Sequence, residues 1–167
     1  MPHGSVRWAA LAASFVLAAA AYAAGSDSKP EEPEAPPLPG VEAYNAGVKL
    51  MKKEKFPDAQ AKFEAALAES PRMAEAHNNL GYSLRKQGPE HYEAALAHYD
   101  QAIALNKKLA EAYMYRGVLR MLMGHEDEAL EDHKTLTGLN RKLADALEAA
   151  IASGEEPEGL GGLARAW

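Results

Sequence analysis

The stretch LGYSLRKQGPEHYEAALAHYDQA, residues 80–102, contains the pattern that decides the fold. Gly81 lies in a helix-like segment and is followed by Ala95, Tyr99 and Ala102. A glycine inside a helix costs roughly 1 kcal/mol relative to alanine, so its presence there indicates a steric need for a small side chain. We therefore expect a second helix to approach Gly81 closely.

The same pattern recurs on both sides of this stretch. Gly47 lies 34 residues before Gly81, and Gly117 lies 36 residues after it. Pro71 ends the first unit, whereas Arg141 holds the same position in the third. The residues that correspond to Ala95, Tyr99 and Ala102 are Ala59, Phe63 and Ala66 in the first unit. In the third unit they are Ala129, His133 and Leu136. One such unit cannot bury its apolar side alone, but three stacked units form a continuous core.

A period of 34 residues is that of the tetratricopeptide repeat, a helix-turn-helix unit, and the chain resembles this family. The residues that carry the resemblance are Leu80-Gly81-Tyr82, Gly88, the block Tyr92 to Leu96, Tyr113, Arg116-Gly117, Gly124 and the block Asp127 to Leu130. The resemblance implies an all-α solenoid without a sheet. It has three helix-turn-helix repeats and a capping helix, at residues 40–73, 74–109, 110–143 and 144–153. The insertion Pro89-Glu90-His91 is predicted to lie in a turn.

The first 24 residues form a different kind of segment. Arg7 precedes an apolar, alanine-rich run that ends in Ala21-Tyr22-Ala23, a motif typical of signal-peptidase sites. We predict a cleaved export signal; the alternative is an uncleaved N-terminal anchor, because the 17 residues of the run are close to the shortest membrane span. Residues 25–39, rich in proline and glutamate, predict a disordered linker. The expected location is periplasmic or secreted, or membrane-anchored facing the periplasm.

The composition argues against several classes of function. The formal net charge is −6, whereas a nucleic-acid binder needs a basic surface. The chain has no cysteine and no phosphate-binding loop or nucleophile elbow. His91 and His98 are seven residues apart, too far along one helix to share a metal ion without other ligands. We therefore predict a non-enzyme with no cofactor, no metal and no nucleic-acid partner, and membrane contact only through an uncleaved N-terminal segment.

In the tetratricopeptide family, the first helix of each repeat lines a concave groove that holds a partner peptide. Carried over position by position, the resemblance implies a partner-binding groove of nine residues: Tyr44, Val48, Asn78, Asn79, Tyr82, Arg85, Met114, Tyr115 and Val118. Amides can pair with an extended backbone, tyrosines offer a large contact area with a polar tip, and methionines adapt to irregular partners. For Met114 and Val118, packing between repeats is an equal alternative.

One form of this groove, the carboxylate clamp of certain cochaperones, holds a chain terminus with basic residues and asparagines. Only Asn79 matches that arrangement, because Tyr44, Val48, Glu111 and Tyr115 occupy the other positions. We predict that the protein is not a carboxylate-clamp cochaperone. A groove of mixed apolar and amide character suits a peptide segment or a helix.

The last fourteen residues, 154–167, begin acidic and glycine-rich and end with Leu160, Leu163 and Trp167. They predict a flexible tail that docks onto a partner or folds back into the groove. The function expected from the whole sequence is an exported, non-catalytic interaction module for a peptide or helix of another protein. The alternatives are a structural spacer in a cell-envelope complex, acting through its convex face or tail, and a hydrolase, for which no motif is present.

Overall fold

Small residues at the repeat positions allow the seven α-helices found within residues 38–157 to pack closely in sequence order. The computed structural model describes residues 38–157, and no strand occurs in that range. The helices are α1 Val41–Met51, α2 Phe56–Glu69, α3 Ala74–Arg85, α4 Tyr92–Leu105, α5 Ala110–Leu122, α6 Glu126–Leu139 and α7 Arg141–Ser153. The predicted signal or anchor segment, nearly all of the predicted linker and the tail from residue 158 onward lie outside the described residues.

The glycines of the first two repeats lie where two helices meet. A methyl group on Gly47 would come within 2.7 Å of the Phe63 ring, and one on Gly81 would lie 2.9 Å from the Tyr99 ring and 3.0 Å from the Ala95 carbonyl oxygen. Phe63 and Tyr99 are themselves fully buried. The predicted steric role of these two glycines is therefore confirmed.

The helices form two layers within the array. Each first helix packs against the second helix of its own repeat, and each second helix packs against the first helix that follows it. In addition, α1 contacts α3 and α3 contacts α5, whereas α2, α4 and α6 make no comparable contact with one another. Because the first helices approach each other and the second helices do not, α1, α3 and α5 line the inner side of the array.

The third repeat differs from the pattern. A methyl group on Gly117 would meet Leu147 of α7 at 2.5 Å, and not His133, which holds the corresponding position in α6. His133 is only partly buried. The fully buried Leu147 from the capping helix thus takes the place of the aromatic ring of the first two repeats.

The capping helix starts at Arg141, three residues before the predicted start at residue 144. Asn140 alone separates α6 from α7, and its side chain accepts a hydrogen bond from the Leu143 backbone N–H at 3.2 Å. This is a usual N-cap interaction. Arg141, unlike the Pro71 of the first repeat, leaves the chain free to re-enter a helix at once. As predicted, Leu143 and Leu147 face the array while Asp145 and Glu148 are exposed.

The connections between helices contain the predicted turn residues. Pro89–His91 forms a short 3₁₀ turn after Gly88, which has a φ of 134°. Gly124, with a φ of 79°, separates α5 from α6. None of the helices in the described part of the chain is both long and apolar enough to cross a bilayer.

Candidate functional site

The nine predicted groove residues all lie on α1, α3 and α5, and each of them is buried. The most exposed of the nine is Tyr82, at 6%. On α3 the burial is continuous, because every residue from 78 to 85 is buried. Six of the nine form one connected group, which we call the inner face: Tyr44, Asn78, Asn79, Tyr82, Arg85 and Tyr115.

A chain of polar contacts links α3 to α1 on the inner face. Asn78 Nδ2 donates to Asn79 Oδ1 at 3.1 Å, and Asn79 Nδ2 donates to the Tyr44 hydroxyl oxygen at 3.0 Å. Burial raises the pKa of Tyr44 to about 12, against the opposite effect of the hydrogen bond from Asn79. The hydroxyl of Tyr44 is therefore neutral at physiological pH, and the contact is one between uncharged groups.

Aromatic rings form the other half of the inner face. The Tyr82 and Tyr115 rings are 4.9 Å apart between centroids, and the Arg85 guanidinium lies 5.2 Å from the Tyr82 centroid. Phe56 from α2 packs edge-on against Tyr82 at 6.1 Å. Such tilted and edge-on pairs stabilise each other beyond the area they bury. Burial also raises the pKa of Tyr82 and of Tyr115, so this surface is aromatic and uncharged apart from Arg85.

Arg85 is paired with an acidic residue from the far end of the described chain. Its Nη1 atom lies 2.6 Å from Glu156 Oε1, and the neighbouring Lys86 Nζ lies 3.2 Å from Glu156 Oε2. Burial opposes ionisation of Glu156, but the two cations outweigh it and lower the pKa of this carboxyl. The segment that follows α7 therefore returns to the C-terminal end of α3.

Core packing involves inner-face residues as well as the other three. Val48 lies in the same core cluster as Tyr44, Tyr82 and Tyr115. Met114 and Val118 belong to a second cluster with Leu143 and Leu147 of α7. The structure thus separates Met114 and Val118 from the inner face, and the assignment of all nine residues to partner binding stays a prediction.

Several polar atoms on α3 are buried without a hydrogen bond from any residue that the structure describes. They include Asn78 Oδ1, Ser83 Oγ and Arg85 Nε. A buried acceptor or donor that is left unpaired costs about 1–3 kcal/mol. Because natural structures pair nearly all such groups with protein or ordered water, these atoms are candidate contact points for water or for a partner.

An ion-pair network around Asp132 in α6 is not among the features predicted from the sequence. The buried carboxylate accepts from Arg116 Nη2 at 2.6 Å and from Arg120 Nη1 at 2.8 Å, and Arg116 Nη1 also reaches Asp100 at 2.6 Å. The signal was the spacing of the two arginines, since residues four apart share one side of a helix. This network joins α5 to α6 and α4, away from the inner face.

Histidines from neighbouring helices form a second unexpected contact. His77 of α3 and His98 of α4 stack with Nδ1 atoms 3.1 Å apart. The spacing of histidines along a single helix does not indicate this pair, because its two members lie on neighbouring helices. Across residues 38–157, no group of three or more histidine, aspartate or glutamate side chains is placed to hold a metal ion.

The repeat pattern and its helices are matched by known protein families. A family model described as "Tetratricopeptide repeat" matches residues 44–88, and one described as "TPR repeat" matches residues 90–124. Tetratricopeptide repeat protein 36 of Xenopus tropicalis is 33% identical over 102 residues, which cover 59% of this chain and 50% of that protein. The chain therefore spans about half the length of this curated relative.

Solved structures with the same arrangement of helices include two domains of one protein. The first TPR of Spaghetti (RPAP3) bound to HSP90 peptide SRMEEVD aligns with a TM-score of 0.63 at 20% identity, covering 69% of this chain and 91% of that one. The second TPR of Spaghetti (RPAP3), bound to the same peptide, aligns with a TM-score of 0.58 at 24% identity, covering 61% and 93%. At these identities the similarity is one of fold.

Proposed function

Because the chain belongs to the tetratricopeptide repeat family, we propose that it is a non-catalytic module that holds a peptide segment or helix of another protein on its inner face. Tetratricopeptide repeats are in general protein-interaction folds. The mechanism is display: packed helices hold the side chains in place, so that little ordering entropy is lost when a partner binds.

The observation that carries this proposal is the unpaired Asn78 Oδ1 beside the Asn79–Tyr44 hydrogen bond. An extended peptide presents backbone N–H donors at regular intervals, and one of them would satisfy the Asn78 oxygen. The Tyr82–Tyr115 pair is buried in the structure, and it has a large apolar area with polar tips that suits the side chains of a peptide that gains access to it. The two similar domains of Spaghetti (RPAP3) hold a peptide, which supports a peptide as the class of ligand.

The identity of the peptide is expected to differ from that in those two structures. Four of the positions that form a carboxylate clamp hold neither a basic residue nor an asparagine. They are occupied by Tyr44, Val48, Glu111 and Tyr115. A terminal carboxylate would find no cation at these positions. We therefore propose an internal peptide segment or a helix as the partner.

Export is part of the proposal. It is supported by the apolar run of the first 24 residues and its small-residue motif, and it places the module in the periplasm or outside the cell, with membrane anchoring as the alternative. The mass of the purified protein from its natural host measures the mature N-terminus. A chain that begins after Ala23 or Ala24 supports cleavage of an export signal. An intact Met1 in a soluble fraction contradicts both cleavage and membrane anchoring.

The alternative function is that of a spacer that acts through the outer helices or the tail. The outer helices give this alternative little support. Leu130 and Leu139 of α6 are exposed at 48% and 38%. They are nine residues apart, and at 100° per residue they lie on opposite sides of the helix. They therefore do not form one apolar surface. Deletion of residues 154–167 followed by an assay of complex assembly tests the remaining route through the tail.

The test of the inner face uses a substitution that should reduce binding without reducing stability. Asn78→Leu removes one unpaired oxygen but leaves Asn79 Oδ1 without its donor. The two effects, each about 1–3 kcal/mol, oppose each other, so the net change in the free energy of unfolding should be small. Substitution of Asn79 or Tyr82 is less suitable, because both also stabilise the buried contacts. The matched control is Leu130→Ser on the exposed side of α6.

Peptides are selected from a displayed random library against the chain with and without residues 154–167. Their dissociation constants are then measured for each variant. Asn78→Leu should weaken binding at least about fivefold, which corresponds to leaving one peptide N–H unpaired. Leu130→Ser should have no effect. The proposal fails if neither form of the chain selects a peptide, or if Leu130→Ser weakens binding as much as Asn78→Leu.

A further inference from the structure

Residues 78–85 of the central helix α3 are buried on every side of the helix, although neighbouring helices lie on only some of those sides. Helices α1 and α5 flank it on the inner layer, and α2 and α4 pack behind it. The capping helix α7 packs against α5 and α6. A helix in such a two-layer array keeps one side open to solvent, yet residues 78–85 contain no exposed position. The open side of α3 therefore has a cover.

The described chain supplies the beginning of that cover. After α7 ends at Ser153, the chain returns to α3, where Glu156 lies between Arg85 and Lys86. The Arg85 side chain is almost fully buried while that of Glu156 is about one-third exposed. Glu156 thus covers the guanidinium from the solvent side, at the edge of the inner face.

We propose that the chain's own C-terminal segment, residues 154–167, occupies the inner face, with Glu156 as its anchor on Arg85 and Lys86. The ten residues after Pro157 can extend by about 33 Å. Asn78 lies seven residues before Arg85 on α3, about 10 Å along the axis, and α1 is a further 8–10 Å away at the usual helix spacing. The segment is long enough to reach Asn78 and Tyr44.

The chemistry of the segment fits this surface. Glu155, Glu156 and Glu158 complement the cations at the end of α3, and Leu160, Leu163 and Trp167 provide apolar side chains for the tyrosines. The inference rests on the proposed function, because it makes the partner site self-occupied. A partner must displace the segment, and the best competitor is a peptide of the same type, with an acidic residue followed by spaced apolar residues.

The occupancy is measured in the full chain by the accessibility of Trp167. The chain contains two tryptophans, so the Trp8→Phe variant has Trp167 as its sole one. Quenching by neutral acrylamide should be weaker in the folded chain than in urea. Glu156→Gln should remove this protection, whereas the adjacent Glu155→Gln, with the same loss of charge but no ion pair, should keep it. The proposal would be overturned if acrylamide quenched Trp167 as strongly in the folded chain as in the chain unfolded by urea.

Two further outcomes identify a different occupant, and each would overturn the proposal. Protection that disappears on dilution indicates a second copy of the chain. Freely quenched Trp167, together with peptide binding that strengthens only on removal of residues 1–37, indicates the N-terminal segment.

A separate readout is the affinity of library-selected peptides for the chain ending at Ser153. It should be about tenfold tighter or more if the segment occupies the site in more than nine-tenths of molecules, because apparent affinity falls with the competent fraction. Equal affinity for both forms, with Trp167 freely quenched, refutes the self-occupancy and leaves the proposed function standing. No peptide for either form, with protected Trp167, refutes the proposed function alone.

Discussion

Replacement of Gly81 by alanine tests the packing that places the inner face. The new methyl carbon would lie 2.9 Å from Tyr99 Cε1 and 3.0 Å from the Ala95 carbonyl oxygen, whereas carbon contacts are favourable at about 3.5–4.0 Å. One of the obstructing atoms belongs to the α4 backbone, and the Tyr99 ring is fully buried. Neither can move without displacing α4 from α3.

The size of the effect follows from two opposing contributions. Overpacking of a close helix contact costs about 1–3 kcal/mol, and the backbone obstruction favours the upper part of that range. Alanine offsets up to about 1 kcal/mol through its better helix propensity. We expect Gly81→Ala to lower the free energy of unfolding by about 1–2 kcal/mol.

The matched control is Gly138→Ala, on the exposed side of α6. A methyl group there has no neighbour within 4 Å, so only the propensity contributes, and the variant should be more stable by about 0.5–1 kcal/mol. Urea unfolding at equilibrium, followed by circular dichroism, measures both variants. The reasoning is refuted if Gly81→Ala is as stable as Gly138→Ala.

Three further predictions concern other contacts. Asp132→Ala should destabilise the fold by about 2–3 kcal/mol, because it leaves Arg116 and Arg120 without their buried partner. Substitution of the exposed Asp100 by alanine should cost less than about 1 kcal/mol. Urea unfolding compares the two variants, and equal losses of stability would contradict the role of the network. Burial, and then His77, lower the pKa of His98, so below pH 6.5 the unfolded chain binds more protons and stability falls as pH falls. The urea midpoint should therefore be lower at pH 5.5 than at pH 7.5, and His98→Gln should reduce the difference; an unchanged difference argues against this cause. The peptide SRMEEVD should give no saturable heat of binding in calorimetry with the chain ending at Ser153, and saturable binding would show that a carboxylate clamp is present.

Much of the fold could be predicted from the sequence, because the residues that recur in each repeat are those that allow two helices to pack closely. Gly47 and Gly81 meet the rings of Phe63 and Tyr99 as the spacing requires. The residue that packs against Gly117 could not be predicted, because Leu147 lies in the capping helix, which does not share the recurring residues of the repeats. The early start of α7 was missed for a related reason: it depends on a single linking residue, Asn140, whose cap forms only in the folded chain.

The site was less predictable than the fold. Position in the repeat correctly places Asn79 and Tyr82 on the inner layer, but it says nothing about what covers them. The Glu156–Arg85 ion pair depends on the return of the chain after α7. That contact joins residues 71 positions apart, and no local pattern indicates it. The polarity of Met114 and Val118 likewise gave no means to distinguish groove from core.

Hydrogen exchange with and without a library-selected peptide tests the central claim most directly, in the chain ending at Ser153. Amide protection per segment shows which helices the peptide stabilises. The account predicts slower exchange in α1 and α3, around Tyr44 and Asn78, with α6 unchanged. Protection confined to α2, α4 and α6 would contradict the account, because it would place the partner on the outer layer.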